Sequence, residues 1–119
     1  MTSVNKAILI GRLGKDPDFS VTKGGKSVVN FSMATTEVWK NKTTGQKEDQ
    51  TDWHNVRVLG KRADLCRDYL KKGSRVYVEG RLATDSWEDK ETGKKNYFTY
   101  ILVNQVRFMD YKKDENQPS

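Results

Sequence analysis

The chain has 119 residues, enough for one domain with one hydrophobic core and not for two. Hydrophobic residues make up 34% and charged residues 32%, with 22 Lys+Arg against 16 Asp+Glu, and the resulting net charge of +6 suits a polyanionic partner. One cysteine excludes an internal disulfide and a cysteine-based zinc site, and no apolar run reaches the roughly 18 residues of a membrane helix, so a chain of the reducing cytoplasm without a signal peptide is expected.

In chain order, "NKAILIGRL" (5–13) alternates loosely and predicts a strand buried on much of both faces. "GRLGKD" (11–16) and "GGKS" (24–27) contain fragments of a phosphate-binding loop. The spacing fails at both: Ser20 stands where the first glycine belongs, and Asp16 follows Gly14-Lys15. Both read as hairpin turns. "SVVNFSMAT" (27–35) is a second strand, with Val29, Phe31 and Met33 on one face against Val28, Asn30, Ser32 and Ala34. "TDWHNVRVLG" (51–60) is a third. It sets Trp53, Asn55, Arg57 and Leu59 on one face, continuing to Lys61, and His54, Val56, Val58 and Gly60 on the other.

"KRADLCRDYLKKG" (61–73) breaks the pattern. Leu65, Cys66, Tyr69 and Leu70 form one stripe of a short helix, with Lys71 and Lys72 in its last turn and Gly73 beyond. "RVYVEGRLATDSW" (75–87) places Val76, Val78, Gly80 and Leu82 inward, with Tyr77, Glu79, Arg81, Ala83 and Trp87 outward, and "YFTYILVNQVRFM" (97–109) is the last strand. Three strands, a helix and two strands is the order of an all-β, five-stranded OB-fold barrel with one short helix between strands 3 and 4. The barrel is expected over 1–111, followed by a charged, disordered tail over 112–119.

Two loop segments, "WKNKTTGQK" (39–47) and "WEDKETGKK" (87–95), fit one pattern, W-x-x-K-x-T-G-x-K, and predict hairpin arms with a Thr-Gly tip and a tryptophan at the base.

Catalytic readings fare poorly. His54 has no placeable nucleophile or carboxylate partner, and its parity with Val56 and Val58 points it to the core or to a neighbouring subunit. Carboxylates are scattered among lysines and form no metal cluster. Cys66 on the helix stripe reads as a small buried hydrophobe. The tryptophans differ: Trp53 and Trp87 oppose the valines of their own strands, and Trp39, Trp53 and Trp87 all have Lys or Arg nearby. Single-stranded nucleic acid is held by that mixture, with bases on exposed rings and basic side chains along the phosphates. A protein interface also uses exposed Trp, Tyr and Arg, but interface cores are poor in lysine.

"VNKAILIGRLGKDPD", "NFSMATTEVWK", "QTDWHNVRVLGKRAD", "YLKKGSRVYVEGRLATDSW" and "TGKKNYFTYILVNQVRFM" together resemble the bacterial-type single-stranded DNA-binding protein family over residues 4 to 109. The resemblance implies an OB-fold, usually a homotetramer, that coats single-stranded DNA in replication, recombination and repair, with no enzymatic activity and no cofactor. Trp39, Trp53 and Trp87 fall on the family's stacking positions. A fourth, usually phenylalanine, falls on Leu59, a departure that removes a π-face. Lys6, Lys42, Lys61 and Lys72 correspond to phosphate-contacting lysines, and strand parity adds Arg57 and Arg81. His54 matches a histidine near the contact between subunits.

Family members usually continue through a Gly/Gln/Pro-rich linker to an acidic tip that recruits partners, whereas this sequence stops at "ENQPS". A trimmed chain and a naturally short one, of phage or plasmid origin, both fit. Replication and repair proteins are expected as partners only with a longer acidic tail. An RNA-binding OB protein and an OB-fold nuclease are the rival readings.

Overall fold

In the computed structural model, which describes residues 2–110, the strands are β1 (Ala7–Leu13), β2 (Asp18–Val21), β3 (Ser27–Lys40), β4 (Lys47–Leu59), β5 (Arg75–Glu88) and β6 (Lys95–Phe108), with α1 (Lys61–Tyr69) after β4. They hydrogen-bond in the order β1-β5-β6-β4-β3-β2, and a further β1–β3 pairing closes five of them into a barrel. Four pairings are antiparallel, β1–β3 among them as the closing one, and β2–β3 makes a fifth; β4–β6 alone is parallel. This is the expected five-stranded barrel, with the helix between its third and fourth barrel strands. The sixth strand, β2, was not expected: four residues with every side chain exposed carry no inward apolar set to announce a strand. The tail expected over 112–119 lies outside the described residues.

The alternation seen in the sequence is what fills the barrel. Val29, Phe31 and Met33 of β3, Val56 and Val58 of β4, Val76 and Val78 of β5, and Ile101 and Val103 of β6 are all buried, and Leu13 of β1 joins them. A β-bulge at Glu79/Gly80 interrupts the β5–β6 register, the kind of irregularity that lets a sheet curl shut.

Four expectations need correction, the first being Leu82 of β5, expected inward but 51% exposed because the pairing of β1 with β5 stops at Ala7↔Gly80. β1 is not buried on both faces: Ile8 and Ile10 are exposed, because β1 meets β3 only at Arg12 and Leu13 and nothing described covers its outer side. The helix turns Ala63 and Cys66 into the core, with Leu70 at its C-cap buried after them, while Leu65 and Tyr69 are exposed. Ala63 to Cys66 to Leu70 is the i, i+3, i+7 stripe, and the bulkier residues beside it disguised it. Nor do Lys71 and Lys72 sit in the last turn. The helix ends at Tyr69, Leu70 is already extended, and Arg67 is the basic residue near the terminus.

Candidate nucleic-acid interface

The β3–β4 and β5–β6 hairpins run far past the barrel as two arms. Their strands pair up to Lys40↔Lys47 and Glu88↔Lys95, so each loop is short and each tryptophan lies near the tip, where Trp39 pairs with Glu48 and Trp87 with Asn96. The expectation of tryptophans at the bases is therefore reversed. Loop-like composition hid strands whose pairing, not whose hydrophobicity, extends them.

The two tips have one construction. Asn41 Oδ1 accepts from the amides of Thr43 and Thr44 at 2.8 and 3.1 Å, and Asp89 Oδ1 does the same for Glu91 and Thr92 at 2.8 and 3.4 Å. Gly45 donates to the Asn41 carbonyl at 2.7 Å, and Gly93 to that of Asp89 at 2.8 Å. Both glycines sit at positive φ, 75° and 70°, which explains the glycine that follows threonine in each pattern. Further down, Thr36 and Thr51 share a hydroxyl hydrogen bond of 3.0 Å, and Thr84 and Thr99 one of 3.2 Å.

All three tryptophans are substantially exposed: Trp39 by 45%, Trp53 by 59% and Trp87 by 52%. Trp53 is held from below. A Cβ on Gly14 would lie 2.6 Å from its ring, so the ring rests on bare backbone and turns its other side outward. Register places Trp53, Asn55, Arg57 and Leu59 of β4 on one outer face with Phe98 and Tyr100 of β6 and with Arg81, Asp85 and Trp87 of β5. Trp39 shares the parity of Phe31 and Met33, beyond the point where that parity is core.

The expected basic residues divide. Lys42, Lys61, Lys72 and Arg81 are exposed, Lys42 in the tip of the first arm and Lys61 opening the helix. Lys6 is on the β1 side of the barrel, paired with Glu79 at 3.5 Å, and Lys72 lies in a groove with Tyr69 and Phe108, its amide donating to Asp16 Oδ1 at 2.8 Å. Arg57 is already committed. Its Nε donates to Asn30 Oδ1 at 3.0 Å, its Nη1 to Asp85 Oδ2 at 3.1 Å, and its guanidinium covers the Tyr100 ring at 4.1 Å. Parity found its face but could not find its partners. Leu59 is half-buried opposite Val28 and offers little surface.

His54 is half-buried, opposite Met33 as its inward parity required, and its Nε2 shares a 2.9 Å hydrogen bond with the Thr35 hydroxyl. Among the described residues there is no group of three or more His, Cys, Asp or Glu that could hold a metal ion. Sequence reasoning missed Phe98, whose outward face could have been read from its parity opposite to Ile101 and Val103. It also missed Gly14 as the seat of Trp53.

An OB barrel with two arms, exposed aromatic rings and free lysines defines the class. Residues 4–109 match the Single-strand binding protein family, and the chain belongs to it. It is 45% identical to "Single-stranded DNA-binding protein 1" of Xylella fastidiosa (strain 9a5c) over 98% of this chain and 85% of that protein. To the protein of the same name from Chlorobaculum tepidum it is 47% identical, over 92% and 67%. Among solved structures, the Plasmodium falciparum SSB complex with ssDNA superposes with a TM-score of 0.80 at 38% identity, covering 92% of this chain and 98% of that one. A deletion mutant of the single-stranded DNA binding protein from Thermus aquaticus gives 0.76 at 30% identity, covering 90% and 51%.

Proposed function

We propose that this protein binds single-stranded DNA with little regard to sequence, stacking bases on Trp39, Trp53 and Trp87 while Lys42, Lys61, Lys72 and Arg81 meet phosphates. The observation that carries the reading is Trp53 seated on Gly14 with its free side outward, on a face it shares with Trp87. Every base has a π-face, so rings displayed this way tolerate any sequence. The relatives named for single-stranded DNA, and the neighbour solved with it, support the choice of ligand. Coating of DNA in replication, recombination and repair, without catalysis or a cofactor, belongs to the same reading.

Assembly is part of it. The β1 edge from Ala7 to Gly11 has no second strand partner among the described residues, and Ile8 and Ile10 are exposed beside it. An open edge flanked by apolar residues is a template for another copy of the chain. A homotetramer is the assembly proposed, with His54 at a contact between subunits.

Titrating the intrinsic tryptophan fluorescence with oligo(dT) at increasing salt tests the proposal. Affinity is expected to fall with a slope of about −0.7 per phosphate neutralised on single strands, while quenching persists at salt where the ionic part has faded. Loss of all quenching at moderate salt would refute stacking.

A further inference from the structure

Phe98 is 38% exposed, and its ring stacks on Tyr100 at 6.0 Å with 27° between the planes. Tyr100 is clamped: Arg57 covers its ring at 4.1 Å and its hydroxyl donates to Asp85 at 3.1 Å. Arg57 is in turn fixed by Asp85 and Asn30. Phe98 therefore stands on a braced base, with part of its surface left to solvent.

Beside it opens a groove of about 160 Å³ whose walls include Lys15, Asp18, Asn30, Ser32, Asn55, Phe98 and Tyr100. That is well below the roughly 300–1,000 Å³ of drug-sized sites and suits one flat ring. A second groove, of about 170 Å³, carries Trp53 and shares Asn55 and Tyr100 with the first. A strand lying on Trp53 thus reaches Phe98 without leaving the face. The walls also have groups to offer a nucleotide. Arg57 is a donor only, so it must hold the oxygen of Asn30, which leaves that amide's NH₂ for a base edge. Ser32 adds a hydroxyl, and the exposed Lys15 a cation for phosphate.

We infer that Phe98, braced by Tyr100, is a further base-stacking surface, taking a base along the strand that lies on Trp53. It supplies an aromatic contact where Leu59, half-buried and without a π-face, cannot. The inference rests on the single-strand reading above.

Two variants test it, titrated with oligo(dT) at one salt concentration because ionic affinity moves with salt. Phe98→Leu is expected to weaken binding about tenfold, within the range of one lost stacked base. Phe98→Trp retains a π-face at the site and is expected to add emission that DNA quenches beyond the wild-type amplitude. Should Phe98→Leu fail to fold, the quenching at position 98 decides alone. Wild-type affinity in a folded Phe98→Leu, or unquenched emission from Trp at 98, overturns the inference. Wild-type quenching distinguishes the two levels: if it is intact, only the Phe98 surface falls, and if it is absent, the single-strand reading falls and takes this one with it.

Discussion

Cys66 is the one nucleophile-bearing residue that the structure removes from chemistry. It lies fully buried between the helix and the barrel, and burial pushes its thiol up from 9.0 to about 12. A thiol kept neutral by desolvation is neither a nucleophile nor a metal ligand at neutral pH. The folded pKa exceeds the unfolded one, so the unfolded chain loses its proton first as pH rises. Stability is thus unaffected by this group below about 9 and declines as pH climbs from there toward about 12. Two outcomes are expected. Native protein resists thiol reagents until it is denatured, and Cys66→Ala shows a shallower alkaline loss of stability in denaturant titrations than wild type. Rapid labelling of native protein would contradict the burial.

At the scale of elements, the twin arms show how two different sequences build one tip. Asn41 and Asp89 hold equivalent places, each side-chain oxygen accepting two loop amides. Asn41→Asp keeps the oxygen that both amides need and loses only the 3.4 Å donation from Asn41 Nδ2 to Glu48 Oε2, so protection of the two amides should be kept. Asn41→Ala removes the one oxygen that accepts both hydrogen bonds and should cost about 0.5–1.5 kcal/mol of local stability, limited because water can replace it at an exposed tip. Hydrogen exchange at the Thr43 and Thr44 amides is the measurement: faster in the alanine variant, unchanged in the aspartate one. Equal exchange in both variants would mean that the cross-strand pairing alone holds the tip. Trp39 pairs next to that turn, so a loosened tip also loosens the ring.

For the whole molecule, the proposed homotetramer makes a claim on particular residues of the barrel surface. His54 sits half-buried with Thr35, and in the same groove as Leu82, which is exposed at the end of the inward series of β5. A larger ring at that position overpacks the site and loses the 2.9 Å hydrogen bond. His54→Tyr is therefore expected to shift mass in light scattering toward smaller species at low protein concentration. An unchanged assembly with unchanged thermal stability would remove His54 from the interface. On the opposite flank, Tyr77 donates to Glu79 at 2.9 Å and Glu79 pairs with Lys6, so the β5 surface beside Ile8 and Ile10 is internally matched in charge. An apolar strip with its charges already paired is suited to burial against another subunit.

The sequence by itself determined the barrel. Period-two alternation through Val29–Phe31–Met33, Val56–Val58 and Val76–Val78 is a local signal, because the side-chain direction of a strand depends only on position along it. The same rule put Trp53 outward and His54 inward, and the match across residues 4–109 carried the family. What only the tertiary structure decided were relations between strands distant in the chain. Arg57 points outward by parity, yet whether it is free depends on Asn30 and Asp85, brought to it by sheet register. Trp53 needs Gly14, and Phe98 needs Tyr100 held by that same Arg57. The helix stripe and the arm lengths were misread for the matching reason. Which residues are buried, and how far a hairpin stays paired, are set by what the opposite surface supplies, and no periodicity within one segment encodes that surface.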